Sequence, residues 1–205
     1  MPPAQSLNEM FGNIDIYLFD QLLKGHLAPG MRILDAGCGG GRNLVYMLQN
    51  GFHVHGVDTS VDSIAAVREL AGRLAPDLPA INFRAEPVDR MSFDDGYFDA
   101  VISSAVLHFA AGEKEWHAMV REMWRVLKPG GIFFARLAST IGMETHVQPI
   151  EGRRYYLPDG TVRFLVDEAM LRATTESLGG EWLEPLKTVV VANMRSMSTW
   201  CLMKS

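Results

Sequence analysis

Short apolar segments alternate with amphipathic ones along most of the chain, and this alternation limits the folds open to it. Apolar runs bounded by turn residues predict five strands, at residues 31–36, 53–58, 80–84, 98–107 and 132–138. Apolar side chains at helical spacing predict helices over residues 43–50, over a segment that Thr59 or Ser60 would cap, and over residues 113–127. Strands that alternate with helices form parallel sheets covered on both faces, so the pattern predicts an α/β domain.

The pattern changes toward the C-terminus. Residues 139–166 show no helical period and contain Leu-Pro-Asp-Gly-Thr, a sequence typical of a hairpin turn. Residues 167–178 predict a helix with Asp167 as its cap, and residues 186–192 and 196–203 predict an antiparallel strand pair. No linker-like stretch separates these segments, so we expect one domain.

Charge and cysteine content limit the partners of the chain. Lys and Arg number 19 against 24 Asp and Glu, a formal net charge of −5, which gives no broad positive field for a nucleic acid. Cys38 and Cys201 are the two cysteines, too few for a metal cluster, and as reduced buried thiols they suit the cytoplasm. We expect a cytoplasmic protein away from the membrane, because neither a signal-peptide pattern nor an apolar run of about 18 residues occurs.

A glycine-rich loop joins the first predicted strand to the first helix, within Ile-Leu-Asp-Ala-Gly-Cys-Gly-Gly-Gly-Arg-Asn at residues 33–43. In an open parallel sheet this is where a ligand binds. A dinucleotide site would have a third glycine where Arg42 stands, and the Gly-Lys-Ser/Thr ending of a P-loop is absent. Asp35 precedes the first glycine by two residues, where a carboxylate suits a cation and repels a pyrophosphate. These features favour S-adenosylmethionine, which has a positive amino end and no phosphates.

Asp58 is the second candidate for contact with the cofactor. It ends the second predicted strand, where a charged carboxylate can accept hydrogen bonds from both ribose hydroxyls. The alternative is that Asp58 only caps the following helix. The glycine loop ahead of it favours the ribose role.

Four segments resemble the class I S-adenosylmethionine-dependent methyltransferases in order and spacing: ILDAGCGGGRN, GVDTS, FDAVISSAVLHF and RVLKPGG. The resemblance is close over about residues 30–140 and loose beyond. The GRN ending and the VLHF segment are similar to the small single-domain branch that includes the tellurite-resistance methyltransferases. The resemblance implies a Rossmann-like, doubly wound α/β fold, with a mostly parallel seven-stranded sheet and an antiparallel C-terminal strand pair.

The resemblance also implies how one domain over residues 1–205 is organised. Its parts are an N-terminal helical segment at 1–29, a cofactor-binding core at 30–138, an acceptor-side insertion at 139–166, and a C-terminal helix and strand pair at 167–205.

The family implies a role for each end of the cofactor site. The loop from Gly37 to Gly39 would pass the methionyl part, Thr59 would lie beside the adenine, and the backbone of Ser103 would lie near the methionyl amino group. The implied cofactor-binding residues are Asp35, Gly37, Cys38, Gly39, Arg42, Asp58, Thr59, Pro87, Val88 and Ser103.

The adenine end departs from the family pattern. Many relatives have an aspartate six residues before the phenylalanine that corresponds to Phe93, and Pro87 stands there in this chain. The backbone of Val88 can still contact the adenine. Glu86 and Asp89 both stay open as a replacement carboxylate.

The implied reaction is direct displacement of a methyl group from sulfur to an O, N, S or chalcogen atom, for which alignment of the reacting atoms is the main requirement. His108, just beyond the fourth predicted strand, is the candidate catalytic residue, as a base or as a group that orients the acceptor. The alternative is a histidine that only closes the pocket.

A small-molecule acceptor is expected, because the motifs of nucleic-acid and arginine methyltransferases are absent. Arg136, Arg153 and Tyr155 are the candidate acceptor-binding residues. The run from Gly152 to Tyr156 would clamp a carboxylate or phosphate, or it is a solvated hairpin. Two other functions stay open, a catalytically silent binding module and a propylamine transferase, and the sequence leaves the oligomeric state open.

Overall fold

The structure of the protein is a computed structural model that describes residues 6–205. Its helices are α1 (Leu7–Phe11), α2 (Ile16–Leu23), α3 (Val45–Gln49), α4 (Val61–Leu74), α5 (Glu113–Val126) and α6 (Glu168–Leu178). Its strands are β1 (Arg32–Ala36), β2 (His53–Asp58), β3 (Phe83–Ala85), β4 (Phe98–Ser104), β5 (Leu127–Ala138), β6 (Gln148–Glu151), β7 (Arg154–Tyr156), β8 (Val162–Phe164), β9 (Gly180–Trp182), β10 (Lys187–Val191) and β11 (Arg195–Lys204).

The central sheet has the strand order β10-β11-β5-β4-β1-β2-β3, and β9 pairs with β11 as an additional strand. Five adjacent strands are parallel to one another: β3, β2, β1, β4 and β5. Strand β11 is antiparallel to both of its neighbours in this order, β5 and β10. The mostly parallel α/β fold with its C-terminal antiparallel pair is therefore confirmed. The carboxyl ends of the parallel strands meet at one edge of this sheet, beside the glycine loop.

Helix boundaries agree with the sequence signals that predict them. The side chain of Ser60 accepts a hydrogen bond from the Ser63 amide and caps α4, and Asp167 caps α6 in the same way. The fifth strand is longer than predicted, because residues 128–131 form a bulged part of β5 rather than a turn before it. Within this bulge Gly130 adopts a left-handed backbone conformation, with φ +74°.

A second, three-stranded antiparallel sheet consists of β6, β7 and β8. The predicted hairpin turn connects β7 to β8. A small apolar cluster that includes Leu157 and Leu165 packs against Ala138, and so attaches this sheet to the end of β5. Residues 139–166 are thereby held near the carboxyl edge of the main sheet. Within residues 6–205, no helix has both the length and the apolar character needed to cross a bilayer.

Candidate functional site

A cavity of about 480 Å³ lies at the carboxyl ends of β1, β2 and β4. Its lining includes five of the predicted cofactor residues: Gly37, Asp58, Thr59, Pro87 and Val88. The remaining lining residues are Asp89, Ala105, Val106, Phe109, Ala110, Glu115 and Met119. The structure therefore brings the glycine loop, the end of β2 and the segment after β3 together around one space.

Asp35 is a buried carboxylate beside this cavity. The residue is 1% exposed, and neither carboxylate oxygen has a hydrogen-bond partner among the described residues. Burial raises the pKa of Asp35 to about 7, and the negative charge of Asp58 adds to this while Arg42 opposes it. Burial of a carboxylate without a hydrogen-bond partner lowers the stability of the folded chain, so the site favours a ligand that supplies a cation or hydrogen-bond donors.

The carboxylate of Asp58 accepts hydrogen bonds from two backbone segments, the glycine loop and the beginning of α4. One oxygen accepts a hydrogen bond of 2.9 Å from the Gly39 amide, and the other accepts one of 2.9 Å from the Ser60 amide. The Ser60 contact supports the beginning of α4, and the Gly39 contact fixes the glycine loop. Each oxygen keeps a further lone pair, so these contacts leave acceptor capacity for ribose hydroxyls on the cavity side.

Close packing explains part of the glycine content of the loop. Gly37 has φ +85°, and a Cβ at this position would lie 2.4 Å from Cγ2 of Val106. A Cβ at Gly41, at φ +82°, would lie 2.7 Å from Cγ2 of Val67 on α4. By contrast, a Cβ at Gly39 would meet no described atom within 4 Å. The loop therefore lacks side chains at Gly37 and Gly41 because the chain packs against itself there.

Five predicted cofactor residues do not line the cavity: Asp35, Cys38, Gly39, Arg42 and Ser103. Cys38 is buried, and burial followed by the charge of Asp35 raises the pKa of its thiol. Ser103 is fully buried, with a hydroxyl that has no partner in the described part of the chain. Arg42 donates hydrogen bonds to the Ser104 hydroxyl and to the carbonyl of Asn13. The side chain of Cys38 packs in the apolar cluster that includes Ile33 and Val67.

Glu86 and Asp89, the two candidates for a replacement carboxylate at the adenine end, differ in their hydrogen bonds. Glu86 accepts hydrogen bonds of 2.8 and 2.5 Å from the amide and hydroxyl of Ser92. Asp89 lines the cavity next to Val88, and its side chain has no hydrogen-bond partner within residues 6–205. The geometry therefore favours Asp89 as the carboxylate available to a ligand.

A second cavity, of about 240 Å³, adjoins the first and shares Ala105 with it. It is lined by Ala105, His108, Arg136, Ala138, Leu157, Asp159, Thr161, Arg163, Val191, Arg195 and Met197. Ala105 has φ +65°, a left-handed conformation that a non-glycine residue adopts rarely and that is typical of functional sites. Nothing about an alanine in sequence signals such a conformation, and sequence reasoning missed it.

His108 and Arg136 both lie in this second cavity, as candidate acceptor-side residues would. Burial, followed by the positive charges of Arg163 and Arg195, lowers the pKa of His108 to about 4, so the imidazole is neutral at pH 7. Its Nδ1 is buried and has no partner among the described residues. Arg136 donates a hydrogen bond of 2.8 Å to the buried carboxylate of Asp15, another residue that no sequence motif indicated.

The structure does not bring the other two acceptor candidates to this cavity. Arg153 forms ion pairs with Asp167 at 2.8 Å and with Glu113 at 3.4 Å, and it lines a separate surface cavity along α5 and α6. Tyr155 packs against the small apolar cluster beneath β6–β8. Arg163 and Arg195, which no sequence motif indicated, line the cavity instead.

Residues 34–135 match a family model described as a methyltransferase domain. The matched segment runs from β1 through the glycine loop, Asp58 and β4 into β5. The chain belongs to this methyltransferase family. A curated methyltransferase of uncharacterised function from Synechocystis is 35% identical to the chain over 117 residues, which are 56% of this chain and 51% of that protein. The chain spans about half, or less, of the length of the first curated relatives that it matches.

Solved structures share the methyltransferase fold over most of the chain. The 1,6-didemethyltoxoflavin N1-methyltransferase of Burkholderia thailandensis was solved with bound 1,6-didemethyltoxoflavin and S-adenosylhomocysteine. It has a TM-score of 0.68 and 20% identity, and the match covers 90% of this chain and 74% of that one. TehB from Haemophilus influenzae has a TM-score of 0.69 and 20% identity, covering 94% of this chain and 63% of its own. At these identities the likeness concerns the fold.

Proposed function

We propose that this chain transfers the methyl group of S-adenosylmethionine to an O, N, S or chalcogen atom of a small-molecule acceptor. The observation that carries the proposal is the 480 Å³ cavity within the matched methyltransferase segment, which Asp58 and Gly37 line. The buried, unpartnered carboxylate of Asp35 lies two residues before Gly37. Membership of the family supports S-adenosylmethionine as the cofactor, and so does the presence of S-adenosylhomocysteine in a solved relative.

The residues present fit this cofactor from one end to the other. Asp35 would hold the ammonium group of the methionyl end, because its buried oxygens lack any donor from the described chain. Arg42, whose positive charge acts on Asp35, would bind the methionyl carboxylate. Asp58 would accept hydrogen bonds from the ribose hydroxyls, and Asp89 would receive the adenine amino group beside Val88.

When bound, S-adenosylmethionine supplies a methyl group activated by its sulfonium charge. The chain then contributes position, because a displacement requires the acceptor atom, the methyl carbon and the sulfur in line. Ala105 lies between the two cavities, so an acceptor in the second cavity would meet the cofactor beside it. Neutral His108 lines that second cavity and would accept a proton from a hydroxyl acceptor or orient it.

Calorimetric titration with S-adenosylmethionine tests the proposal. We expect binding of the carboxylated cofactor and much weaker binding of its decarboxylated form, because the decarboxylated form gives Arg42 no anion to bind. Preference for the decarboxylated form would instead support a propylamine transferase. Absence of binding by either form would contradict the proposal.

An acceptor screen then tests catalysis. Release of S-adenosylhomocysteine is followed with small molecules that present hydroxyl, amine, thiol or chalcogen-oxyanion nucleophiles. Turnover with one of them identifies the acceptor atom. A chain that binds the cofactor and turns over none would be a silent binding module. We further propose a cytoplasmic location, which the two free, buried cysteines support.

A further inference from the structure

Arginine side chains dominate the 240 Å³ cavity next to the cofactor cavity. Arg136, Arg163 and Arg195 line it, and Asp159 is the one carboxylate among its described lining residues. The chain as a whole has a formal net charge of −5, so the positive lining does not follow from composition. This local reversal of charge requires its own explanation.

The three guanidinium groups have hydrogen-bond donors to spare. Within residues 6–205 the guanidinium of Arg195 has no hydrogen bond and no ion pair. Arg163 donates one bond of 2.7 Å to a neighbouring carbonyl and lies 4.8 Å from the ring centroid of Phe109. Arg136 pairs with Asp15, yet its Nε–H is buried without a partner among the described residues. A buried donor in this state is stabilised when a ligand supplies the acceptor.

Asp159 does not neutralise this group of arginines by direct pairing. One of its oxygens accepts hydrogen bonds from the amide and hydroxyl of Thr161, at 3.0 and 2.6 Å, which holds the carboxylate in the β7–β8 turn. The Thr161 hydroxyl, followed by the charges of Arg163 and Arg195, lowers the pKa of Asp159. The charges are therefore close, but neither arginine forms an ion pair in the part of the chain that the structure describes.

We propose that the methyl acceptor carries an oxyanionic group, a carboxylate or a phosphate, which Arg163 and Arg195 bind with the Nε–H of Arg136. The proposal names the acceptor class and rests on the proposed methyltransferase function. Guanidinium groups match both oxyanions with paired, charge-assisted hydrogen bonds. At about 30 Å³ for each water molecule, a cavity of about 240 Å³ has room for about eight waters, so the acceptor is small.

Binding to the chain saturated with S-adenosylhomocysteine tests the proposal without turnover. The probes are 4-hydroxybenzoate, its neutral amide 4-hydroxybenzamide, and inorganic phosphate as a competitor. We expect the benzoate to bind at least about tenfold more tightly than the amide. Arg163→Gln and Arg195→Gln should each weaken benzoate binding by about ten- to a hundredfold and leave amide binding unchanged.

Arg73→Gln is the matched control, because it removes the same charge from an exposed position on α4. It should bind both aromatic probes as the parent does. Competition by phosphate would extend the recognised group to phosphates, and a lack of competition would restrict it to carboxylates. Equal affinity of the parent for benzoate and amide, or parental benzoate affinity in both arginine variants, would overturn the proposal.

The same titrations separate this proposal from the methyltransferase function. Binding of S-adenosylhomocysteine is measured first in the parent and in every variant, and anion binding is measured both with and without it. Loss of the anion preference while S-adenosylhomocysteine still binds overturns the acceptor class alone. Failure of the parent to bind S-adenosylhomocysteine overturns the proposed function, and the arginine variants measured without it still decide whether this cavity binds anions.

Discussion

Asp35, the carboxylate proposed to bind the ammonium group of the cofactor, is buried where its charge lowers the stability of the free chain. Its side chain is fully enclosed and lacks a donor within the described chain, and its pKa is raised to about 7. At a pH above 7 the carboxyl is ionised in a place that favours the neutral form. The binding of a cation would remove this penalty, so affinity for the cofactor and stability of the free chain oppose each other here.

Replacement Asp35→Asn tests this opposition. At pH 8 we expect the free energy of unfolding of the ligand-free variant to exceed that of the parent by about 1–3 kcal/mol, because burial of a neutral amide costs less free energy than burial of a charge. Its affinity for S-adenosylmethionine should fall by about ten- to a hundredfold. Urea unfolding and calorimetry measure the two effects. The stability difference should shrink toward pH 4, where Asp35 is protonated, and a pH-independent difference would contradict this origin.

Asp58 has a structural role in the free chain, through its hydrogen bonds to Gly39 and Ser60, beside the ribose-binding role proposed for it. Asp58→Ala should weaken S-adenosylmethionine binding by about ten- to a hundredfold, because two ribose hydroxyls lose a charged acceptor. The free variant should also lose about 1–2 kcal/mol of stability, since the amides of Gly39 and Ser60 lose theirs. Asp58→Asn keeps a hydrogen-bond acceptor, so its affinity for S-adenosylmethionine should lie between those of the parent and of Asp58→Ala. Parental affinity in Asp58→Ala would exclude the ribose role.

His108 has two possible roles that a single variant separates. If its neutral imidazole accepts a proton from the acceptor, His108→Ala should lower turnover by about a hundredfold or more at saturating acceptor. Calorimetric affinity for S-adenosylmethionine should stay at the parental value, because His108 lines the second cavity and not the first. Unchanged turnover would make it a wall of the acceptor cavity.

The glycine loop between β1 and α3 packs against Val106 in the segment that follows β4. Gly37→Ala should therefore lower the free energy of unfolding by more than about 2 kcal/mol, because the new Cβ meets Val106 at 2.4 Å as well as an unfavourable φ. Gly39→Ala carries only the conformational penalty of about 1 kcal/mol, since the space around its Cβ is open among the described residues. Urea unfolding compares the pair, and equal losses would show that the contact with Val106 does not matter.

Elements with strong local signals were predictable from the sequence, and the meeting points between distant segments were not. The cap at Asp167 and the antiparallel pair of β10 and β11 appear as predicted, and of the two residues predicted to cap α4, Thr59 and Ser60, the structure shows Ser60. The bulge within β5 was missed, because a Pro-Gly-Gly sequence indicates a turn equally well. The addition of β9 to the sheet was missed as well, because three residues carry too little periodicity to be recognised.

Part of the candidate site could likewise be predicted from sequence motifs, and part of it could not. Asp35, Gly37 and Asp58 lie within a few residues of strand ends, so a motif located them. Arg163 and Arg195 come from β8 and the first residue of β11, and nothing short of the folded chain places them in one cavity with Arg136. Adjacent Arg153 and Tyr155 looked more like a binding pair in sequence, yet their side chains go to an ion pair and an apolar cluster.

Three buried titratable groups set the acid stability of the whole molecule in opposite directions. Burial lowers the pKa values of His55 and His108 to about 4, and it raises that of Asp35 to about 7. Between about pH 4 and 6.5 the unfolded histidines bind protons that the folded ones do not, so their contribution to stability is lost as the pH falls. The folded Asp35 keeps a proton that its unfolded form has released, so its contribution is lost as the pH rises through about 4 to 7.

Two histidines outweigh one carboxyl below pH 6.5, so the free chain should gain stability from pH 4.5 to 6.5 and reach its maximum between about pH 6 and 7. His55 offers the cleanest test, because its ring packs edge-on against Phe93, Tyr97 and Phe98 and lies outside both ligand cavities. His55→Phe keeps an aromatic ring and removes one titrating group. The one remaining histidine and Asp35 then nearly offset each other, so the variant's free energy of unfolding in urea should stay almost constant over this interval. That of the parent should rise by about 1 kcal/mol per pH unit. Arg73→Gln, at an exposed position on α4, should keep the parental slope. A parental slope in His55→Phe would mean that this imidazole titrates alike in the folded and the unfolded chain.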